Sequence, residues 1–151
     1  MRTTVLSYLE ESAVKYADKI AFFDERNSIT FAELRKRAID VGYHIRERLV
    51  GRQNPVLIYL PKTVDSIVAF MGTLYSGNFY TPTDIRFPAE KVLSVVEALH
   101  PAAVIVDSTT KQKLQEFTVG HELIMINLDD VEETGLYEES SVLIDEILDI
   151  D

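Results

Sequence analysis

Asp107 closes the apolar run Val104-Ile105-Val106, so its carboxylate stands at the carboxyl end of an expected strand. Open α/β sheets place ligand-binding groups at such ends. The competing reading makes Asp107 a helix cap or turn residue together with Ser108, which needs nothing beyond the local sequence. His44, His100 and His121 are far apart, and none stands in a metal-ligand spacing such as HxxxH. Each reads as a surface or capping side chain rather than a base or ligand. The six glycines are Gly42, Gly51, Gly72, Gly77, Gly120 and Gly135. They form neither GxGxxG nor GxxxxGK[ST], the arrangements in which backbone N–H groups close around phosphate. No GxSxG elbow is present. With no cysteine in the chain, thiolate metal sites and disulfides are excluded. No catalytic, cofactor-binding or metal-ligating residue is assigned on this census.

A phospho-acceptor role for Asp107, as in the receiver domains of two-component signalling, needs two further features. One is an acidic pair after the first sheet strand to hold Mg²⁺, and the other is a Lys after the last strand. Leu60 is followed by Pro61-Lys62, and no Lys occurs beyond Lys113, so both are missing. Ten aromatic residues, Tyr8, Tyr16, Phe22, Phe23, Tyr43, Tyr59, Tyr75, Phe79, Tyr80 and Phe87, offer a stacking surface in principle. Most fall on stripes or strands that already require apolar packing, so core use is the expectation.

The elements that would position these groups follow from periodicity. Val5, Leu6, Leu9, Ala13 and Tyr16 predict an amphipathic helix over about Thr4 to Ala17. Ile20 to Phe23 and Ile29 to Phe31 predict a hairpin turned by Asp24 to Ser28. Thr30 and Glu33 make a capping box, in which the Thr hydroxyl accepts from the third N–H and the Glu carboxylate reaches back to the cap. The helix that follows carries Phe31, Leu34, Ala38, Val41, Ile45 and Leu49 on one stripe, with Arg35, Lys36, Arg46 and Glu47 opposite. Gly51 is expected to close it in the left-handed conformation. Val56 to Leu60 is continuously apolar, as in a strand covered on both faces. A helix with Val64, Ile67, Val68, Met71, Leu74 and Tyr75 on one side ends at Gly77. Phe79 to Thr81 is a strand, and Pro88 suits the first turn of a helix that Pro101 ends. Ala103 to Val106 is a strand, Ser108 caps a helix to about Phe117, and Leu123 to Asn127 is the last strand.

This alternation predicts an α/β fold, a mostly parallel layered sheet with flanking helices. Residues 1–53 supply the preceding helix, hairpin and helix, which pack on one face. Residues 54–127 supply the βαβ-type sheet. Residues 128–151 read as an acidic loop with one helix near Ser141 to Leu148.

Hydrophobic residues at 46% and charged residues at 26% match a globular rather than a disordered chain, and 151 residues suit a single domain. Residues 1–113 hold all 15 Lys and Arg against 13 Asp and Glu, whereas residues 114–151 hold 12 Asp and Glu and no cation. Such an end disfavours nucleic acid, whose phosphates need clustered cations. It reads as a solvated face or linker, with docking of a basic partner as the alternative. Met1 is followed by a polar amphipathic stretch rather than an apolar core, and no apolar run approaches a membrane span. No signal peptide or membrane segment is expected, and a cytoplasmic location fits.

Two segments carry a family resemblance. Ile29-Thr30-Phe31-Ala32-Glu33-Leu34 resembles the "(L/I)-T-(Y/F)-x-E-L" element of amino-acid adenylation domains of the nonribosomal peptide synthetase type. These belong to the AMP-binding, acyl-adenylate-forming ligase superfamily. Leu74 to Lys91, Leu-Tyr-Ser-Gly-Asn-Phe-Tyr-Thr-Pro-Thr-Asp-Ile-Arg-Phe-Pro-Ala-Glu-Lys, resembles its "L-x-A-G-x-x-Y-x-P-x-D-x-x-(Y/F)-P-x-E-(R/K)" element. Ser76, Asn78, Thr81 and Thr83 are mild departures. The resemblance implies the N-terminal subdomain of an enzyme that uses ATP and Mg²⁺ to convert a carboxylate into an acyl-adenylate. The acyl group then passes to the phosphopantetheine thiol of a carrier protein. It also implies that the Ser/Thr/Gly-rich phosphate loop, the Mg²⁺ ligand and the catalytic Lys follow this region, so no residue is carried over as catalytic. In the related acyl-coenzyme A ligases a basic residue near this turn is associated with contact to the coenzyme nucleotide, which singles out Arg86 for comparison. The Phe87-Pro88-Ala89-Glu90-Lys91 run leans to the amino-acid branch and leaves Arg86 a turn-stabilising or solvent-exposed role. The expected partner is the remainder of the same adenylation domain, without which a cut sheet would expose apolar surface and self-associate. The alternative is a self-standing, non-catalytic α/β interaction module.

Overall fold

The computed structural model describes residues 4–135. Helix α1 (Val5–Lys15) leads to a hairpin of β1 (Ile20–Phe23) and β2 (Ser28–Thr30), and α2 (Phe31–Arg48) follows directly. Then come β3 (Pro55–Ile58), α3 (Val64–Tyr75), β4 (Phe79–Pro82), α4 (Ala89–Leu99), β5 (Ala103–Val106), α5 (Ser108–Phe117) and β6 (Met125–Asn127). A 3₁₀ turn, Leu128–Asp130, closes the series. The helix expected near Ser141 to Leu148 lies outside the described residues.

Strands β4, β3, β5 and β6 form one sheet in that order, with every pairing parallel. Because successive strand side chains alternate between faces, Val56, Ile58 and Ile105 join Leu34, Ile39, Ile45 and Val68 in one buried cluster. Leu57, Val104 and Val106 join Val92, Val96 and Leu114 in another. The first face therefore carries α2, α3, α1 and the hairpin, and the second carries α4 and α5. This is the three-layer α/β arrangement that a continuously apolar central strand requires.

The helix boundaries have local causes. Thr4 and Thr30 each cap their helix through the third N–H, and Ser7 and Glu33 complete the reciprocal bonds. Helix α3 ends in a Schellman motif: the Gly77 N–H donates to Leu74 O at 2.9 Å and the Asn78 N–H to Thr73 O at 3.2 Å. That geometry needs the positive φ of Gly77, +82°. Helices α2 and α3 approach closely because Gly42 and Gly72 face one another's helix.

Several expectations are corrected. Helix α2 ends at Leu49 in an extended conformation, and Gly51, although at φ +76°, shapes the loop beyond it. Pro88 is the N-cap of α4 rather than a residue of its first turn, and His100 at its end adopts the left-handed region. Ser108 is the first residue of α5 rather than its cap, which is Asp107, in keeping with the capping reading of that carboxylate. In α1 only Leu6 and Leu9 are buried, while Val5 and Tyr16 face solvent. Core use holds for Tyr59 and Tyr75, but Tyr8, Tyr16, Phe22, Phe23 and Phe79 are exposed. Strand β6 begins at Met125, two residues later than the apolar run from Leu123.

Candidate functional site

A recess of about 950 Å³ opens at the carboxyl ends of β3 and β4. Ile58 and Leu60 line its sheet side, Ile67 and Phe70 of α3 one wall, and Phe22 and Phe23 of the hairpin another. The turn from Pro82 to Phe87 forms the far rim. Phe70 stacks on Tyr80 with ring centroids 4.4 Å apart, which stiffens the α3 wall against β4. The sheet reverses its winding between β3 and β5, since β3 leads to β4 on one side and β5 to β6 on the other. The recess thus lies one strand from the switch point at which open sheets bind ligands.

Asp24 holds the hairpin over this recess. Its Oδ2 accepts from the Val64 N–H at 2.8 Å, and its Oδ1 accepts from the Arg26 and Asn27 N–H groups, both at 2.8 Å. Thr63 makes no side-chain cap at the start of α3, so a residue 40 positions away supplies the missing acceptor. These bonds, the one from Val64 foremost, hold the Asp24 carboxyl below its ordinary range. On the opposite rim, Arg86 grips Asp84 through its side chain and its own backbone N–H, and depresses that carboxyl strongly. Arg86 is itself exposed, as a turn-stabilising residue would be. Lys113 of α5 donates to Ile85 O at 2.6 Å and fixes the same turn from the other layer.

The structure does not gather the candidates read from the sequence into one site. Asp107 Oδ1 accepts from the Thr110 N–H at 2.8 Å, and Thr110 Oγ1 accepts from the Asp107 N–H at 2.9 Å. That capping box occupies the carboxylate at the switch point. Ser108 turns to Asp129, whose Oδ2 accepts from the Ser108 N–H at 3.0 Å and from its hydroxyl at 2.7 Å. His44 is half-buried in α2, His100 ends α4, and His121 faces Glu97 at 3.7 Å. Among the described residues no three His, Asp or Glu side chains converge as a metal site would require. None of the described helices is long and apolar enough to cross a membrane.

Sequence reading missed the long-range polar links. Glu10 of α1 accepts from Arg35 Nε at 2.9 Å with each carboxylate oxygen, and its Oε1 accepts from the Tyr75 hydroxyl at 2.7 Å. One carboxylate therefore joins α1, α2 and α3. Burial, with Glu10 beside it, pushes the Tyr75 hydroxyl far above its ordinary value. Two buried hydroxyls, Tyr59 Oη and Thr83 Oγ1, have no hydrogen-bond partner among the described residues. They belong to register-adjacent positions just past Ile58 and Pro82, at the carboxyl edge of the sheet.

Residues 9–147 match the family model described as AMP-binding enzyme. The chain is 30% identical over 135 residues to gramicidin S synthase 2 of Brevibacillus brevis, covering 89% of this chain and 3% of that protein. Among solved structures it is similar to a nonribosomal peptide synthetase, FmoA3, in its alpha-methyl-L-serine-AMP bound form. That likeness has a TM-score of 0.75 at 23% identity and covers 85% of this chain and 14% of the other. VinN in complex with 3-methylaspartate gives a TM-score of 0.75 at 20% identity, covering 96% of this chain and 38% of the other. The chain thus spans between 3% and 38% of the length of these relatives.

Proposed function

The chain belongs to the AMP-binding enzyme family, and on that premise we propose that it forms the N-terminal subdomain of an ATP-dependent ligase. The ligase activates an amino acid, or a related carboxylate, as an acyl-adenylate and transfers it to a carrier-protein thiol. The match over residues 9–147 carries the reading. It includes both the helix-start element Ile29–Leu34 and the turn Leu74–Lys91. The names of the relatives agree with it, since one is a gramicidin synthase and one solved relative holds an amino-acyl adenylate.

The described residues do not fit a nucleotide triphosphate. Phosphate is commonly received at free helix N-termini, and here Thr4, Thr30, Asp24 and Asp107 already accept from those of α1, α2, α3 and α5. Helix α4 starts after Pro88 with no side-chain cap, but without a glycine-rich loop before it. No converging carboxylates are present for Mg²⁺ among the described residues. In this reading residues 1–151 hold no catalytic group. They build the sheet and the walled recess against which the rest of the adenylation domain is assembled, with residues 1–53 on one face of the sheet formed by 54–127. The acidic stretch 128–151 leads toward the phosphate loop.

The coding sequence beyond Asp151 tests this reading. A Ser/Thr/Gly-rich loop is expected almost at once. A frame that stops there, and yields a monodisperse product with cooperative unfolding, points instead to a self-standing α/β interaction module.

A further inference from the structure

After β6 the chain leaves the sheet edge and crosses to α2, held at several points. Asp129 is tied to Ser108, and Leu128 and Val131 pack on the first buried cluster. Asp40, in the middle of α2, then accepts with Oδ1 from both the N–H of Thr134 at 3.0 Å and its hydroxyl at 2.7 Å. One turn earlier on the helix, Lys36 pairs with Glu133 at 3.5 Å. Asp40 is only 4% exposed.

We propose that Asp40 is a positioning residue: it fixes the register of residues 128–134 against α2 and so sets where the chain beyond Gly135 departs. A buried carboxylate is costly, and a well-packed apolar side chain at such a site is often no less stable. What a carboxylate adds is selectivity of register, because it demands particular donors. Of residues 131–135, Val-Glu-Glu-Thr-Gly, Thr134 alone offers an N–H and a hydroxyl together. A slip by one residue would set Glu133 against Asp40, carboxylate to carboxylate, or Gly135, which has no hydroxyl. The segment is irregular, so no sheet ladder fixes its register in place of the side chain. The catalytic consequence rests on the ligase reading, in which this segment leads to the phosphate loop. A displaced departure point would then weaken ATP binding more than turnover.

The test uses the polypeptide encoded by the whole frame, with Asp40→Leu, Asp40→Asn and Thr134→Val. Hydrogen exchange of residues 131–135 should accelerate tenfold or more in D40L while β3 and β5 keep their protection. T134V, which keeps the N–H bond to Asp40 and loses the hydroxyl bond, should show a smaller acceleration. D40N keeps an oxygen acceptor and should stay close to the parent. In amino-acid-dependent ATP–pyrophosphate exchange, D40L should raise the KM for ATP several-fold with a smaller change in kcat, and D40N should restore it. Unchanged protection of 131–135 in both D40L and T134V overturns the proposal. So does a D40N variant as defective as D40L, since the effect would then lie in charge rather than in donor matching. If the parent is active and D40L frees the segment without altering KM or kcat, the positioning role fails while the ligase reading stands. If the parent shows no exchange activity but D40L still frees the segment, the register role stands and the ligase reading fails.

Discussion

Replacing Gly72 with alanine should destabilise the fold although alanine is the better helix former. A Cβ at this position would lie 2.5 Å from Val41 Cγ1, 2.6 Å from Val41 Cβ and 3.0 Å from Ala38 O. Rotating Val41 about χ1 moves the first of these atoms but neither of the others. Relief therefore requires α2 and α3 to separate by about 1 Å to reach ordinary contact distance. Gly42 resists this, because its own Cβ position is only 3.0 Å from Tyr75 Cβ and the whole seam is built for close approach. Overpacking of this kind costs about 1–3 kcal/mol, and the gain in helix propensity returns about 1 kcal/mol. With backbone and Cβ atoms in the clash, the cost lies at the upper end, leaving a net loss of about 1–2 kcal/mol. Urea unfolding followed by circular dichroism should show a midpoint lower by about 0.5–1 M with an unchanged slope. Adding Val41→Ala should not restore stability, because the Cβ contact at 2.6 Å survives it. A G72A chain as stable as the parent, or full rescue by V41A, would refute the close-packed seam.

Three further outcomes are expected. Glu10→Ala removes the acceptor of the buried Tyr75 hydroxyl and of Arg35 and should cost about 1–3 kcal/mol in urea unfolding, with Glu10→Gln costing less. Asp24 has a carboxyl held below the ordinary value of 3.8. Its contribution is therefore present above that pH and lost as pH falls through the lowered value. The amide resonances of Arg26, Asn27 and Val64 should titrate together with a midpoint below 3.8, and an Asp24→Asn chain should lack the transition. Tyr59→Phe deletes a buried hydroxyl that has no hydrogen-bond partner among the described residues, so it should leave stability unchanged or raise it by up to about 1 kcal/mol, read from the same urea transition.

Local chemistry made much of the fold legible. Ile20–Phe23 stands where alternation and turn residues put it, and the Thr30–Glu33 capping box forms as the three-residue spacing requires. The continuous apolar run after Pro55 is buried on both faces, which is why it reads as a central parallel strand. Errors arose where two local solutions competed. Asp107 and Ser108 can both cap; Asp107 takes the role, and Ser108 donates instead to Asp129, 21 residues away. Periodicity gives helix α2 one apolar stripe, yet it lies between α1, α3 and the sheet, so Ile39 and Asp40 are buried as well. Arg35, expected on the solvent face, reaches Glu10 across the α1–α2 seam. The exposed Phe23 follows no helical or strand logic within the chain and belongs to the recess wall. The links Asp24–Val64, Glu10–Tyr75 and Asp40–Thr134 span 40, 65 and 94 residues, and no spacing rule reaches so far. That the glycines form neither GxGxxG nor GxxxxGK[ST] is legible at once, because glycine spacing is a local property.

In the proposed function this chain supplies scaffold, and not chemistry, to an amino-acid adenylating ligase. Amino-acid-dependent ATP–pyrophosphate exchange tests it most directly, measured on the whole-frame polypeptide and on residues 1–151 alone. Exchange with at least one amino acid is expected for the former and none for the latter. Exchange by residues 1–151 alone, or none by the whole polypeptide with any amino acid or related carboxylate, would contradict it.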